Sequence, residues 1–406
     1  MTAKTSATPR VVILGGSGAM GRITAADLLR TSGGRLEVVV ADRDLTAALD
    51  PRLRTVQTDV TDPASLAGAV RGAFAVIASL PYRFNEVAMR AVLEAGAHYI
   101  DLGGLFHVTR RQLLLGPEFE RAGRMAILGM GSAPGILNVM AAHAAQGMEQ
   151  VHEIHCMVGA RDFTRYRHLP PLGFGYSPDT LLDEFVKDSA VFRAGEFRMV
   201  PAIDPRERLV VRFPAPVGRM AIDTTLHSEV ATLPLSFAAR GIREVTFRQA
   251  FEPETLERLR FVVELGLAGV DPLPVAGGEV VPRRVLAALL ARFPAPEPAG
   301  KPNRYEILRT RVAGVRNRRR VVVVADCHAG PRAGWGIGPD IDTGAPPAIA
   351  AQMLASGEIP LRPGVWAPEQ AVPSAPFFQA LERRGMRLVV RRERSVAQPP
   401  RKPRSR

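Results

Sequence analysis

Between Val11 and Gly21 the chain reads VVILGGSGAMG, a β-branched apolar run followed at once by glycines in G-x-G-x-x-G spacing. A strand has to end there, the backbone has to turn tightly, and a helix has to open. Gly16, Gly18 and Gly21 keep Cβ atoms out of the turn, so the N–H groups at a helix start stand open to an anion such as a pyrophosphate. Ser17, Ala19 and Met20 fill the intervening positions and share that candidate role. The next apolar run, Leu36 to Ala41, completes a β-α-β unit and ends in Asp42, placed to accept hydrogen bonds from an adenosine ribose. A carboxylate there favours NAD over NADP, while neighbouring Arg43 could accommodate a 2′-phosphate, so the expected cofactor is NAD or NADP. A plain glycine turn is the alternative, and the complete strand, loop and helix context weighs against it.

The same alternation continues. Leu53 to Thr58, Ala75 to Ser79, His98 to Leu102 and Met125 to Gly129 read as further strands, with amphipathic helices at Gly21 to Ser32 and Arg83 to Ala95 closed by Gly33 and Gly96. Asp62-Pro63 reads as N-cap and first turn of a helix over 64–71. This is the pattern of an α/β Rossmann fold, a doubly wound parallel sheet. Ligands of such sheets gather at the C-terminal strand ends, which makes Asp59, Val60, Ser79, Leu80 and Pro81 candidate contacts for adenine and nicotinamide ribose, although ordinary turns use the same residues.

Past about Gly147 the character changes to alternating strands, among them Glu149 to Gly159, Val210 to Phe213, Glu244 to Phe251 and Arg320 to Ala325. The expectation is a Rossmann domain over 1–146, an inserted mixed α+β catalytic domain over 147–345, a return to the first domain over 346–390, and a basic tail over 391–406. The stretches 293–302 and 330–347 are proline-rich and read as long surface connections.

The net charge of +13 comes from 53 Lys and Arg, overwhelmingly arginine, against 40 acidic residues. From Arg391 onward seven basic residues face one Glu among three prolines, a composition that opposes packing. The run Arg316 to Arg320 precedes a strand and reads as a solvated hairpin. No nucleic-acid-binding motif accompanies the charge, so the expectation is against nucleic acid as a partner. No apolar stretch approaches the roughly 18 residues that span a bilayer, and the first ten residues lack the apolar core of a secretory signal. Two distant cysteines, Cys156 and Cys327, suit a reducing, cytoplasmic setting and call for no metal, though one bridge between them stays open.

The segments ILGGSGAMG, VVVADRD, HYIDLGG, GMGSAPGILNV and WAPEQAV…FFQALERRGM, in this order and across nearly the whole chain, resemble the saccharopine dehydrogenase family, including its short lysine 6-dehydrogenase-like members. The resemblance implies hydride transfer to or from a nicotinamide at a carbon bonded to nitrogen, on an amino acid or its imine. It places the loop Gly131 to Ile136, with Pro134 and Gly135, beside the nicotinamide, and Asn138 one turn inside the helix that follows. The family also contains reductases of other carbonyl or carbon–carbon double bonds, and the segment 161–178 has no clear counterpart in the larger saccharopine-forming enzymes. A binding protein that senses dinucleotides without turning over is the reading from another class.

Imine chemistry needs a proton relay, and two clusters offer one. In His98-Tyr99-Ile100-Asp101 strand alternation puts Tyr99 and Asp101 on one face as candidate catalysts; alternatively His98 and Tyr99 fill the core and Asp101 caps a turn. In the second, alternation would put Thr225, His227 and Glu229 on one sheet face, beside Ser228, with His227 and Glu229 as candidates. Arg161, Arg165, Arg167 or Arg219 could hold a substrate carboxylate, and Tyr176 could line the site. A small-molecule substrate and a homodimer complete the expectation.

Overall fold

The computed structural model describes residues 8–45, 49–172, 177–294, 296–331 and 340–393. Tyr176 and the tail from residue 394 lie outside the described residues.

The first sheet contains β1 (Arg10–Leu14), β2 (Glu37–Asp42), β3 (Arg54–Gln57), β4 (Ala75–Ala78), β5 (His98–Asp101) and β6 (Met125–Ile127), the six strands read from the sequence. Helices α1 (Ala19–Thr31), α2 (Pro63–Val70), α3 (Asn85–Glu94), α4 (Leu105–Leu113) and α5 (Gly116–Arg121) cross between them. Val11 to Leu14 and Ala75 to Ile77 are wholly buried, because helices cover both faces and a parallel sheet leaves no side for water. Asp62 caps α2 by accepting from Ala64 N, with Pro63 at its first position, as expected. The strand order is β3-β2-β1-β4-β5-β6-β19, where β19 (Gly364–Trp366) arrives from the far end of the chain as a seventh parallel strand. The order reverses between β1 and β4, and the crevice at that point is where the glycine loop leaves β1.

Helix α6 (Ile136–Ala144) leads into the second, mixed sheet. Its long central strand β7 (Gln150–Asp162) pairs in parallel with β13 (Glu244–Gln249) and antiparallel with β17 (Arg304–Arg316), which turns back into β18 (Arg319–Ala329). The arginine run is the turn of that hairpin, as read. Strands β9 (Ser189–Arg193), β10 (Glu196–Val200), β11 (Leu209–Arg212) and β12 (Arg219–Thr224) complete one side. Two short ribbons join β8 (Tyr166–His168) to β16 (Glu297–Pro298) and β14 (Leu273–Val275) to β15 (Gly278–Val280). Helices α7 (Pro178–Val186), α8 (Glu229–Ser236), α9 (Pro253–Glu264) and α10 (Pro282–Leu290) lie among these strands. One face of the sheet receives α6, since Thr310 of β17 donates to the Leu137 carbonyl at 3.0 Å. The strand registers place Cys156, Phe247, Gln249, Leu308 and Glu306 on that same face.

Helices α11 (Ile341–Ser356), α12 (Pro368–Ala371) and α13 (Ser374–Arg383) carry the chain back to the first sheet. Arg384 forks onto Asp27 of α1 with two 2.6 Å bonds, both groups buried.

Three sequence expectations are corrected. The stretch 330–347 is not all surface connection: α11 begins at Ile341 and holds Pro346 and Pro347 in its interior. A helical proline costs about 3 kcal/mol, and α11 tolerates two because almost its whole surface is buried against α1 and the sheet. The chain's last described strand, β20 (Arg387–Glu393), does not stay with the first sheet but pairs with β18, so Arg391 and Arg392 are strand residues and not tail. Finally, β12 ends at Thr224 and Glu229 opens α8, so residues 225–229 form a strand-to-helix corner and not a strand.

Candidate active site

The glycine loop is shaped as a cradle. A Cβ on Gly16 would lie 2.7 Å from Val40 Cγ1, and on Gly21 2.2 Å from the Gly15 carbonyl, so only glycine lets α1 start this close to β1. Gly18 is the N-cap and has no side chain to satisfy the first-turn amides of α1, leaving them with Ala19 and Met20 open to an anion. The Ser17 hydroxyl is buried without a partner among the described residues, and the Ser17 amide donates to Asp42 Oδ2 at 2.9 Å, which fixes the carboxylate at the end of β2. Arg43 beside it is exposed. These features fit a dinucleotide pyrophosphate and ribose.

Around the crevice, Asp59 Oδ1 accepts from both the amide and hydroxyl of Thr61, a turn cap at the end of β3. Val60 and Leu80 pack against the core between sheet and helices, while Ser79 and Pro81 sit half-buried at the end of β4. Gly15 approaches Ser79 so closely that a Cβ would meet its carbonyl at 2.3 Å. The ends of β1 and β4 therefore close one side of the cleft.

The loop from Gly129 to Gly135 forms the next wall. Pro134 is wedged between Gly103 and Gly129: Cβ atoms there would lie 2.8 and 2.7 Å from its ring. Gly135 (φ +127°) starts α6, its amide donating to Asn138 Oδ1 at 3.1 Å. Asn138 in turn donates to Thr232 and to Glu369, at 3.2 and 2.9 Å, so one buried amide ties α6 to α8 and α12.

The Tyr99 and Asp101 candidates are overturned by their surroundings. Tyr99 is wholly buried in the core beneath β5, and its hydroxyl donates to the Asn85 carbonyl at 3.3 Å. Asp101 accepts from Gly103 N (3.0 Å), Gly129 N (2.7 Å), Gln112 (2.7 Å) and Asn85 (3.3 Å). Two of these donors are amides of the loops that grip Pro134 and two are side chains of α3 and α4, and together they fill its acceptor capacity. This is the turn-capping alternative.

His227 and Glu229 do come together, for a reason other than strand alternation. The corner into α8 folds the imidazole back so that Nδ1 lies 2.8 Å from Glu229 Oε2, with Glu184 of α7 at 3.9 Å from Nε2. The ring stacks on Phe247, centroids 3.7 Å apart, on the sheet face that carries α6. Burial pulls the imidazolium down, but Glu229 and then Glu184 outweigh it and the net shift of His227 is upward. Gln249 bridges Glu184 and Thr225. Glu229 is fully buried, and its second oxygen has no partner among the described residues. Ser228 accepts from Thr109 at 3.1 Å and lies 3.6 Å from where a Gly103 Cβ would be, so this corner stands against the Gly103–Pro134 wall at the C-terminal end of β5.

Of the four arginines, Arg165, Arg167 and Arg219 are exposed, and Arg161 pairs opposite Tyr305 on the sheet face away from α6. Sequence reading missed Glu184, Gln249 and Glu369; a carboxylate on the apolar side of α7, in LLDEFV, was the one visible sign. Both cysteines are buried free thiols, no metal-binding group occurs among the described residues, and none of the described helices is long and apolar enough to cross a membrane.

Comparison with known proteins bears on this geometry. Residues 11–127 match the saccharopine dehydrogenase NADP binding domain and residues 131–386 the saccharopine dehydrogenase C-terminal domain. The chain is 27% identical over 333 residues to carboxynorspermidine synthase of Vibrio cholerae, covering 77% of this chain and 76% of that protein. It is 24% identical to carboxyaminopropylagmatine dehydrogenase of Synechocystis, covering 63% of each. The fold matches apo saccharopine dehydrogenase (L-Glu forming) from Saccharomyces cerevisiae with a TM-score of 0.70, at 17% identity over 95% of this chain and all of that one. With both family domains matched in order across the two sheets, the chain belongs to the saccharopine dehydrogenase family and is an NAD(P)-dependent oxidoreductase.

Proposed function

We propose that the protein joins an amine to a carboxyl-bearing aldehyde by reducing the imine between them, with His227 as the proton donor. The observation that carries this reading is the His227–Glu229 pair held against the Gly103–Pro134 wall. The nicotinamide supplies the hydride. His227, whose protonated form Glu229 and Glu184 favour, gives a proton to the nitrogen as it becomes an amine, and Phe247 fixes the ring plane. Buried carboxylates in place of arginines suit a cationic, amine-bearing substrate, as do the names carboxynorspermidine and carboxyaminopropylagmatine borne by the relatives. Gly16 to Gly21 would hold the pyrophosphate, Ser79 to Pro81 the nicotinamide ribose, Asp59 and Val60 the adenine edge, and Pro134 with Gly135 the ring. Asp42 favours NAD, against the NADP of the matching domain's description.

The test is absorbance of the reduced nicotinamide while diamines with carboxylated aldehydes are supplied with NADH or NADPH, using Gly18→Asp as the blank. Turnover absent from the blank supports the reading and fixes the cofactor. Nucleotide binding without turnover on any amine would move the reading to another carbonyl or to a sensing protein. Sedimentation of the same preparation tests the expected homodimer, and fractionation a cytoplasmic location.

A further inference from the structure

Asp179, Asp183 and Lys187 follow one another at four-residue steps along α7 and its end, so they share one stripe of the helix. That stripe meets the single helical turn Tyr82–Phe84, which follows Ser79 to Pro81 at the end of β4. Tyr82 donates its hydroxyl proton to Asp183 Oδ2 and accepts from Lys187 Nζ at 2.8 Å, while Arg83 reaches Asp179 at 2.7 Å. Arg283 of α10 donates to the other oxygen of Asp183 at 2.8 Å, and the carboxylate is buried between the two. A hydroxyl bonded to a carboxylate is charge-assisted and strong for its kind, whereas the exposed Arg83–Asp179 pair contributes little. Tyr82 is therefore the main grip of the first sheet's side on α7.

Glu184 is the next residue of the helix, turned about 100° from Asp183. It faces the second sheet, where Gln249 donates to one of its oxygens and the other lies 3.9 Å from His227 Nε2. Leu181, Leu182 and Phe185 share an apolar cluster with Leu256, Leu259 and Val262 of α9, which makes this stretch move as one body. Two adjacent residues thus bond Tyr82 and face the imidazole.

We propose that Tyr82 is a positioning residue for the proton transfer: its bond to Asp183 seats α7 so that Glu184 stands beside His227, linking the charge of the imidazole to the loop at the end of β4. A carboxylate at 3.9 Å attracts an imidazolium strongly in a dry site, and the attraction falls as the two part and water enters. The other carboxylate on His227 is Glu229 at 2.8 Å, and the buried Cys156 thiol of β7 lies within reach of the Glu229 charge. Glu229 belongs to α8, which has its own tie to the first sheet's side through Ser228 and Thr109, so loosening Tyr82 subtracts Glu184 alone. The inference rests on the reading of His227 as proton donor.

The experiment is a nitrogen NMR titration of the imidazoles in isotope-labelled full-length protein with NADPH, from roughly pH 5 to pH 9, with His227→Gln assigning the signal. In the wild type the His227 midpoint should lie above the ordinary 6.5. Glu184→Gln should lower it and so sets the size of the Glu184 effect. Tyr82→Phe keeps the ring and loses only the hydroxyl; its midpoint should fall between those two, and the pH at which imine reduction declines should move with it. In the Glu184→Gln background the same Tyr82→Phe change should shift nothing further. A Tyr82→Phe midpoint that coincides with the wild type's, or a shift that persists undiminished in the double variant, overturns the proposal. The functional reading fails separately: a wild type that reduces no imine while the midpoints behave as stated removes His227 as proton donor and leaves the link from Tyr82 to the imidazole standing.

Discussion

Asp101 and Glu229 are both fully buried carboxylates at the mouth of the same cleft, and they do opposite things. Asp101 ends β5 and accepts from four donors, two of them backbone amides of the Pro134 grip. Glu229 opens α8 and binds His227 with one oxygen while the other has no partner among the described residues. A carboxylate whose acceptors are all filled holds a shape. One with capacity to spare, next to a titrating imidazole, is available for chemistry.

The comparison breaks most visibly at Asp101. Asp101→Ala strands four donors in a dry site, each costing about 1–3 kcal/mol, so thermal unfolding should show a loss large enough to threaten folding. Asp101 would join the catalysts instead if that variant melted like the wild type but turned over nothing. Next comes His227→Gln, expected to lower kcat by about 10² to 10⁴ with a melting temperature close to wild type; a stability loss in proportion to the activity loss would return His227 to the core.

Glu229→Gln sharpens the contrast through pH. The raised His227 value means that its contribution to stability is complete below the ordinary histidine value of 6.5 and is lost as pH rises through the higher folded value. Imine reduction should fall over the same rise, and Glu229→Gln should bring that fall to lower pH; an unmoved profile would sever the pair. The smallest effect belongs to Tyr99→Phe, which removes one 3.3 Å bond to a carbonyl, costs about 0.5–1.5 kcal/mol, and should leave kcat alone.

Local features were legible because each carries its reason within a few residues. The Asp62-Pro63 cap and the Gly16, Gly18 and Gly21 cradle follow from backbone rules, and six strands from short runs between turn and helix signals, even though β3 is largely exposed. The His227–Glu229 pair was named, but by an alternation that the corner at Ser228 replaces. Alternation equally grouped Tyr99 with Asp101, and nothing local says that Gly129 and Gln112 claim that carboxylate. Glu369 meets Asn138 across more than two hundred residues, and the two prolines of α11 look like a loop until its burial is seen.

By itself, then, the sequence determined the nucleotide-binding opening, six strands of the first sheet and the family pattern, since these depend on spacing and on where glycine must stand. Only the tertiary structure decided which carboxylates are spent on backbone amides and which keep an oxygen free, because the donors come from distant segments and a carboxyl's role is set by its partners.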